Sequence, residues 1–66
     1  MAKEDIISYL FKNAPFSLNT CEEIADKING TESLAYIHEV LLGYIGGDDN
    51  YAYETAWELA EGIKRL

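Results

Sequence analysis

A chain of 66 residues holds one domain with a small core, and a 48% hydrophobic content is too rich for a disordered tail. Twelve Asp and Glu against five Lys and Arg leave a formal charge of −7, a balance that repels nucleic acid and anionic membranes and suits a basic partner. No run nears the ~18 consecutive apolar residues of a membrane span, and the lone Cys21 excludes an internal disulfide or a thiolate zinc cluster.

The first predicted helix covers residues 3–14. Ile6, Ile7, Leu10, Phe11 and Ala14 recur at helical intervals and predict one apolar face. Glu4 and Asp5 stand in the first turn and Lys12 in the last, both favoured by the helix dipole. Pro15 ends the helix, because the residue before a proline is driven from the helical region. The opening residues carry acid beside Lys3 and no long apolar run, so they do not read as a signal peptide, and a cytoplasmic protein is expected. Phe16 and Leu18 are expected in a loop, tucked under the core.

The second helix, residues 20–29, is predicted to open at Asn19 or Thr20, where Thr20-x-x-Glu23 has capping-box spacing. Its inner face is Cys21, Ile24, Ala25 and Ile28, so Cys21 is expected to be a buried, inert thiol. Asn29-Gly30 closes it, since both residues tolerate the left-handed conformation.

Residues 32–45 form the third helix, capped by Thr31 or Ser33 and stopped by Gly46-Gly47. Leu34, Ile37, Leu41, Tyr44 and Ile45 keep helical spacing, while Tyr36, Val40 and Leu42 occupy its other sides. A helix apolar nearly all round needs cover nearly all round, so this one is expected at the centre. The fourth helix, residues 49–65, is capped by Asp48 or Asp49. Ala52, Ala56, Leu59, Ile63 and Leu66 make its packing seam, with Tyr53, Trp57 and Ala60 on the next stripe. Glu54, Glu58, Glu61 and Arg65 take the opposite face, and Glu61 and Arg65 are ordered for an exposed ion pair. The fold class is all-α: one small domain of four short helices around a central apolar helix.

Catalytic and metal chemistry find few candidates. His38, the only histidine, is expected as a partly buried structural side chain, with no nucleophile or orienting carboxylate nearby. Asp48-Asp49-Asn50-Tyr51 begins like a calcium loop, but Tyr53 stands where the sharp turn needs glycine. Glu54 and Glu58 lack the histidine of a Glu-x-x-His site, and Gly46-Gly47 lacks the lysine of a phosphate loop. No catalytic residue, metal or cofactor is expected.

The stretch from Thr20 to Ser33, followed by the apolar helix, resembles the first helix and turn of a helix-turn-helix unit, on Ile24, Ala25 and Ile28. The resemblance covers about a third of the chain and implies that the third helix would enter a DNA groove. Gly30 departs from the pattern, standing where an apolar residue usually follows the turn. The would-be reading helix carries Glu32 and Glu39 and no Arg, Lys, Gln or Asn. Between Lys27 and Lys64 lie seven acidic residues and no Lys or Arg, so the counterion release that drives DNA binding has no source.

What remains is a surface. Asp48, Asp49, Tyr51, Tyr53, Glu54, Trp57 and Glu58 crowd acids and aromatics at the head of the last helix. Tyr and Trp are favoured interface anchors, and a carboxylate rim steers a basic partner. The expected function is a non-enzymatic, acidic protein-binding module, in its sharpest form an inhibitor or regulator of a nucleic-acid-handling protein that mimics DNA. Direct nucleic-acid binding and membrane binding are not expected, and the chain is expected as a monomer or weak homodimer. The alternatives are a helix-turn-helix-type accessory domain and a self-associating bundle sharing the Ala52–Leu66 seam.

Overall fold

Three of the four helices start at a side chain that accepts an amide hydrogen bond the first turn cannot otherwise satisfy. The computed structural model describes residues 2–31, 33–47 and 49–66, and among these all regular structure is helical. The elements are α1 (Lys3–Asn13), α2 (Leu18–Ile28), α3 (Leu34–Ile45) and α4 (Asn50–Lys64). Ser17 caps α2, its Oγ accepting from the Thr20 amide at 3.3 Å. Ser33 caps α3 through the Tyr36 amide at 3.2 Å, and Asp49 caps α4 through the Ala52 amide at 2.8 Å. Each such cap stabilises its helix by about 1 kcal/mol. Ala14, in extended conformation before Pro15, ends α1, and Gly46 ends α3 with φ of 79°.

The start of α2 differs from expectation. Ser17 rather than Asn19 or Thr20 is the cap, so Leu18 is helical instead of lying in the loop. Glu23 does not return a bond to a cap; its carboxylate accepts from the Tyr44 hydroxyl at 3.1 Å and ties α2 to α3. Lys27, one turn on, lies 5.2 Å from the centre of the Tyr44 ring. The phenol thus meets an anion at its oxygen and a cation at its face.

Short connections make each helix pack on the next, and α4 packs back on α1 to close the ring. The helices that face each other diagonally, α1 with α3 and α2 with α4, do not approach. The radius of gyration is 10.5 Å, against about 11 Å for a compact chain of this length. Buried in the middle are Ile6 and Leu10 of α1, Cys21, Ile24, Ala25 and Ile28 of α2, Ile37 and Leu41 of α3, and Ala56, Leu59, Ala60 and Ile63 of α4. Around these, α3 also sets Leu34, Val40, Leu42, Tyr44 and Ile45 against the core, the largest apolar contribution of any helix. Its cover is incomplete, because α2 and α4 flank it and no described helix lies on its outer side, where Tyr36 is exposed. Ala52, Ala56 and Ala60, one turn apart, put little bulk between α4 and its neighbours, and α3–α4 is the most extensively packed pair.

Two residues expected inside lie outside. Phe11 is 58% exposed: Ile6 and Leu10 already form the inner stripe, and the next residue is turned about 100° away. Leu18, at the first position of α2, is 51% exposed. Phe16 does pack against the core, as expected. Lys3 and Asp26 join α1 to α2. The carboxylate, by hydrogen bond and attraction, holds the Lys3 ammonium above its ordinary pKa. Both side chains are exposed to solvent over a large part of their surface, so the pair adds little to stability.

Gly62 marks where α1 crosses α4. A methyl group there would occupy the space of the Tyr9 hydroxyl and its ring carbon. The end of the Tyr9 side chain must then shift, so Gly62→Ala is expected to gain less in urea unfolding than the about 1 kcal/mol that alanine brings to an open helix position. In a Tyr9→Ala background the same change is expected to bring that gain in full. Additive effects in that double-mutant cycle contradict the crossing.

Burial pushes the Cys21 thiol up from its ordinary pKa. A raised pKa in the folded state gives stability that is complete below the unfolded thiol's value of about 8.5 and is lost as pH rises toward the folded value. Urea titrations from pH 7 to about 9.5 should show that decline in the native chain and not in Cys21→Ala. A thiol reagent should label Cys21 only as fast as the chain opens, and labelling at the rate of a free thiol contradicts its burial.

Candidate partner-binding surface

Successive residues on α4 turn by about 100°, which sorts the aromatic and acidic residues of its first half into three strips. Ala52, Ala56, Leu59 and Ile63 face the core. Tyr53 and Trp57 run along the shoulder toward α3, Glu54, Glu58 and Glu61 point to solvent, and Tyr51 and Thr55 occupy the other shoulder. The expected cluster is therefore divided. Tyr53 and Trp57 come together, Glu54 and Glu58 sit one turn apart, and Tyr51 lies across the carboxylates from the other two rings. Asp49 stands at the head of the helix with its carboxylate engaged as the cap. Asp48 lies outside the described residues.

The Tyr53–Trp57 strip is organised by His38. Its imidazole is only 7% exposed and lies flat against the Trp57 ring, centroids 4.0 Å apart and planes 17° from parallel. Tyr53 meets the imidazole edge-on at 4.7 Å, and the two large rings meet at 6.3 Å, again edge to face. Nε2 of His38 lies 3.3 Å from the Tyr53 carbonyl oxygen. A carbonyl only accepts, so Nε2 carries the proton and donates. His38 thus bonds to the backbone of α4 and stacks on its side chains, which pins α3 to α4. His38 is more deeply buried than the sequence reading expects, and its part in the site was missed. A signal for it exists: His38 precedes the Gly46–Asp49 connection by as many residues as Trp57 follows it, and folding a hairpin about that connection sets them opposite.

Tyr51 is different. It is 78% exposed, the most exposed large hydrophobic side chain among the described residues. Beneath it a pit of about 260 Å³ opens between Phe16 of the first loop, Tyr44 and Ile45 of α3, and Thr55 and Leu59 of α4. This pit joins residues from three separate parts of the chain, and no local pattern announces it.

Among the described residues, Lys3–Asp26 is the one ion pair, so Glu54, Glu58 and Glu61 stand without a cationic partner. The expected Glu61–Arg65 pair does not form. Arg65 stands at the C-cap, beyond the last helical residue Lys64, and its side chain makes no ion pair among the described residues. Among the described residues no three His, Cys, Asp or Glu side chains gather as metal ligands would. The Ala52–Leu66 seam is buried in the chain's own core, apart from half-exposed Leu66. Comparison with known proteins finds no matching family model, no similar curated protein and no similar solved structure.

Proposed function

We propose that the chain is a non-enzymatic protein-binding module that sets the carboxylate strip of α4, edged by aromatic rings, against a basic protein surface. The observation that carries this reading is Tyr51, a large ring left in solvent beside Glu54 and Glu58, which have no cation of their own. An exposed tyrosine gives contact area with little conformational entropy to lose, and unpaired acids beside it give direction to the approach. Trp57 and Tyr53 join through the edges that His38 leaves uncovered. In its sharpest form the partner is a nucleic-acid-handling protein, with Glu54, Glu58 and Glu61 standing in for phosphates along one strand.

Protein rather than DNA is favoured by what α3 turns outward. Ala35, Tyr36, Glu39 and Gly43 are its exposed residues, and none is a cationic donor for phosphate or base edges.

Affinity capture from host lysate at low and high salt tests the reading, with Glu54→Gln/Glu58→Gln as the comparison. The native chain is expected to retain a basic protein at low salt and release it at high salt. The double variant should bind that protein about two- to tenfold more weakly with an unchanged melting curve, as exposed charge pairs allow. Equal retention by both chains, or DNA held by the native chain in a low-salt gel shift, overturns the proposal.

A further inference from the structure

The pit beneath Tyr51 has a shape and chemistry of its own. Its walls are the rings of Phe16, Tyr44 and Tyr51, and Ile45 and Leu59 contribute aliphatic surface. At about 260 Å³ it falls below the ~300 Å³ where small-molecule pockets begin, and it suits one side chain. Around it acids outnumber cations: Glu23, Glu54 and Glu58 against Lys27. Glu54 and Glu58 follow Tyr51 and Thr55 by three residues each, which makes them neighbours on the helix surface. Glu23 holds the Tyr44 hydroxyl. No Lys or Arg lines the pit.

The molecule already shows what such a ring attracts. Lys27 lies against Tyr44, which also forms one wall of the pit. Ring faces are negative and draw cations, arginine more often than lysine, because a flat, weakly hydrated guanidinium stacks on them. A flat cation stacked on these rings, with an aliphatic stem that apolar walls tolerate and carboxylates one helical turn away, describes an inserted arginine.

We propose that the pit walled by Phe16, Tyr44 and Tyr51 receives an arginine side chain from a basic protein partner. This rests on the docking role proposed above and assigns its anchor point. The acids draw the partner in, and the pit fixes its register.

The test is an NMR titration of the ¹⁵N-labelled chain at low salt with acetylated tetra-arginine amide and, separately, its tetra-lysine counterpart. Tetra-arginine is expected to shift Phe16, Tyr51 and Thr55, and its side-chain methylene signals should move upfield in the ring currents. Tyr51→Ala should weaken binding about two- to fivefold, the size of an exposed cation–π contact. Its melting curve should not change, since the ring is mostly in solvent, and Tyr36→Ala, which removes an exposed ring elsewhere, should bind like the native chain. Shifts confined to Glu54, Glu58 and Glu61, with no effect of Tyr51→Ala, overturn the pit and leave the docking role standing. Equal shifts with tetra-lysine overturn the preference for arginine. No shift with either peptide at millimolar concentration overturns both the pit and the docking role.

Discussion

A buried imidazole pressed flat against an indole sets the geometry of this protein. His38 touches α4 through a ring stack on Trp57, an edge contact with Tyr53 and a hydrogen bond to the Tyr53 carbonyl. Three contacts to residues one turn apart fix both the rotation of α4 and its height along α3. Rotation decides everything on the outer side. With Trp57 turned toward α3, Glu54 and Glu58 face solvent and Tyr51 falls over the joint between α4, the end of α3 and the first loop. A rotation by one residue would turn Glu58 inward in one sense and Lys64 in the other, and burying an unpaired charge is costly enough to forbid it.

The remainder of the core relies on size rather than polarity. Ala52, Ala56 and Ala60 let the hairpin close, while Ile24, Ile28, Ile6 and Leu10 fill the half built by α1 and α2. The two halves meet through limited connections. Glu23 and Lys27 hold Tyr44 across α2 and α3, and Tyr9 lies over Gly62 across α1 and α4. Each is an aromatic ring placed where one helix offers a gap or a polar partner.

The four helices were legible because each has its stripe and its stop: Pro15, Asn29-Gly30 and Gly46-Gly47 mark ends by backbone sterics alone. Starts were harder. Ser17 and Thr20 both precede apolar residues by helical spacing, and local pattern cannot tell which hydroxyl caps when the nearby Glu23 is claimed by Tyr44 on another helix. Phe11 was misplaced for a related reason, since periodicity shows which residues share a side but not how wide a stripe the neighbours cover. The site was legible as a composition and not as a surface. Seven residues close in sequence suggested one patch, yet helical rotation parts Tyr51 from Trp57, and the pit takes Phe16 and Tyr44 from far along the chain.

The stacked pair of His38 and Trp57 has a consequence for how the molecule can be observed. Trp57 is the only tryptophan, and indole emission depends on what lies against the ring. Its fluorescence therefore reports the closure of the α3–α4 hairpin, while the only thiol, Cys21, sits in the half made by α1 and α2. Each half of this small domain carries a native optical or chemical reporter. Whether the halves open together or in sequence can be followed without adding a label to the acidic face.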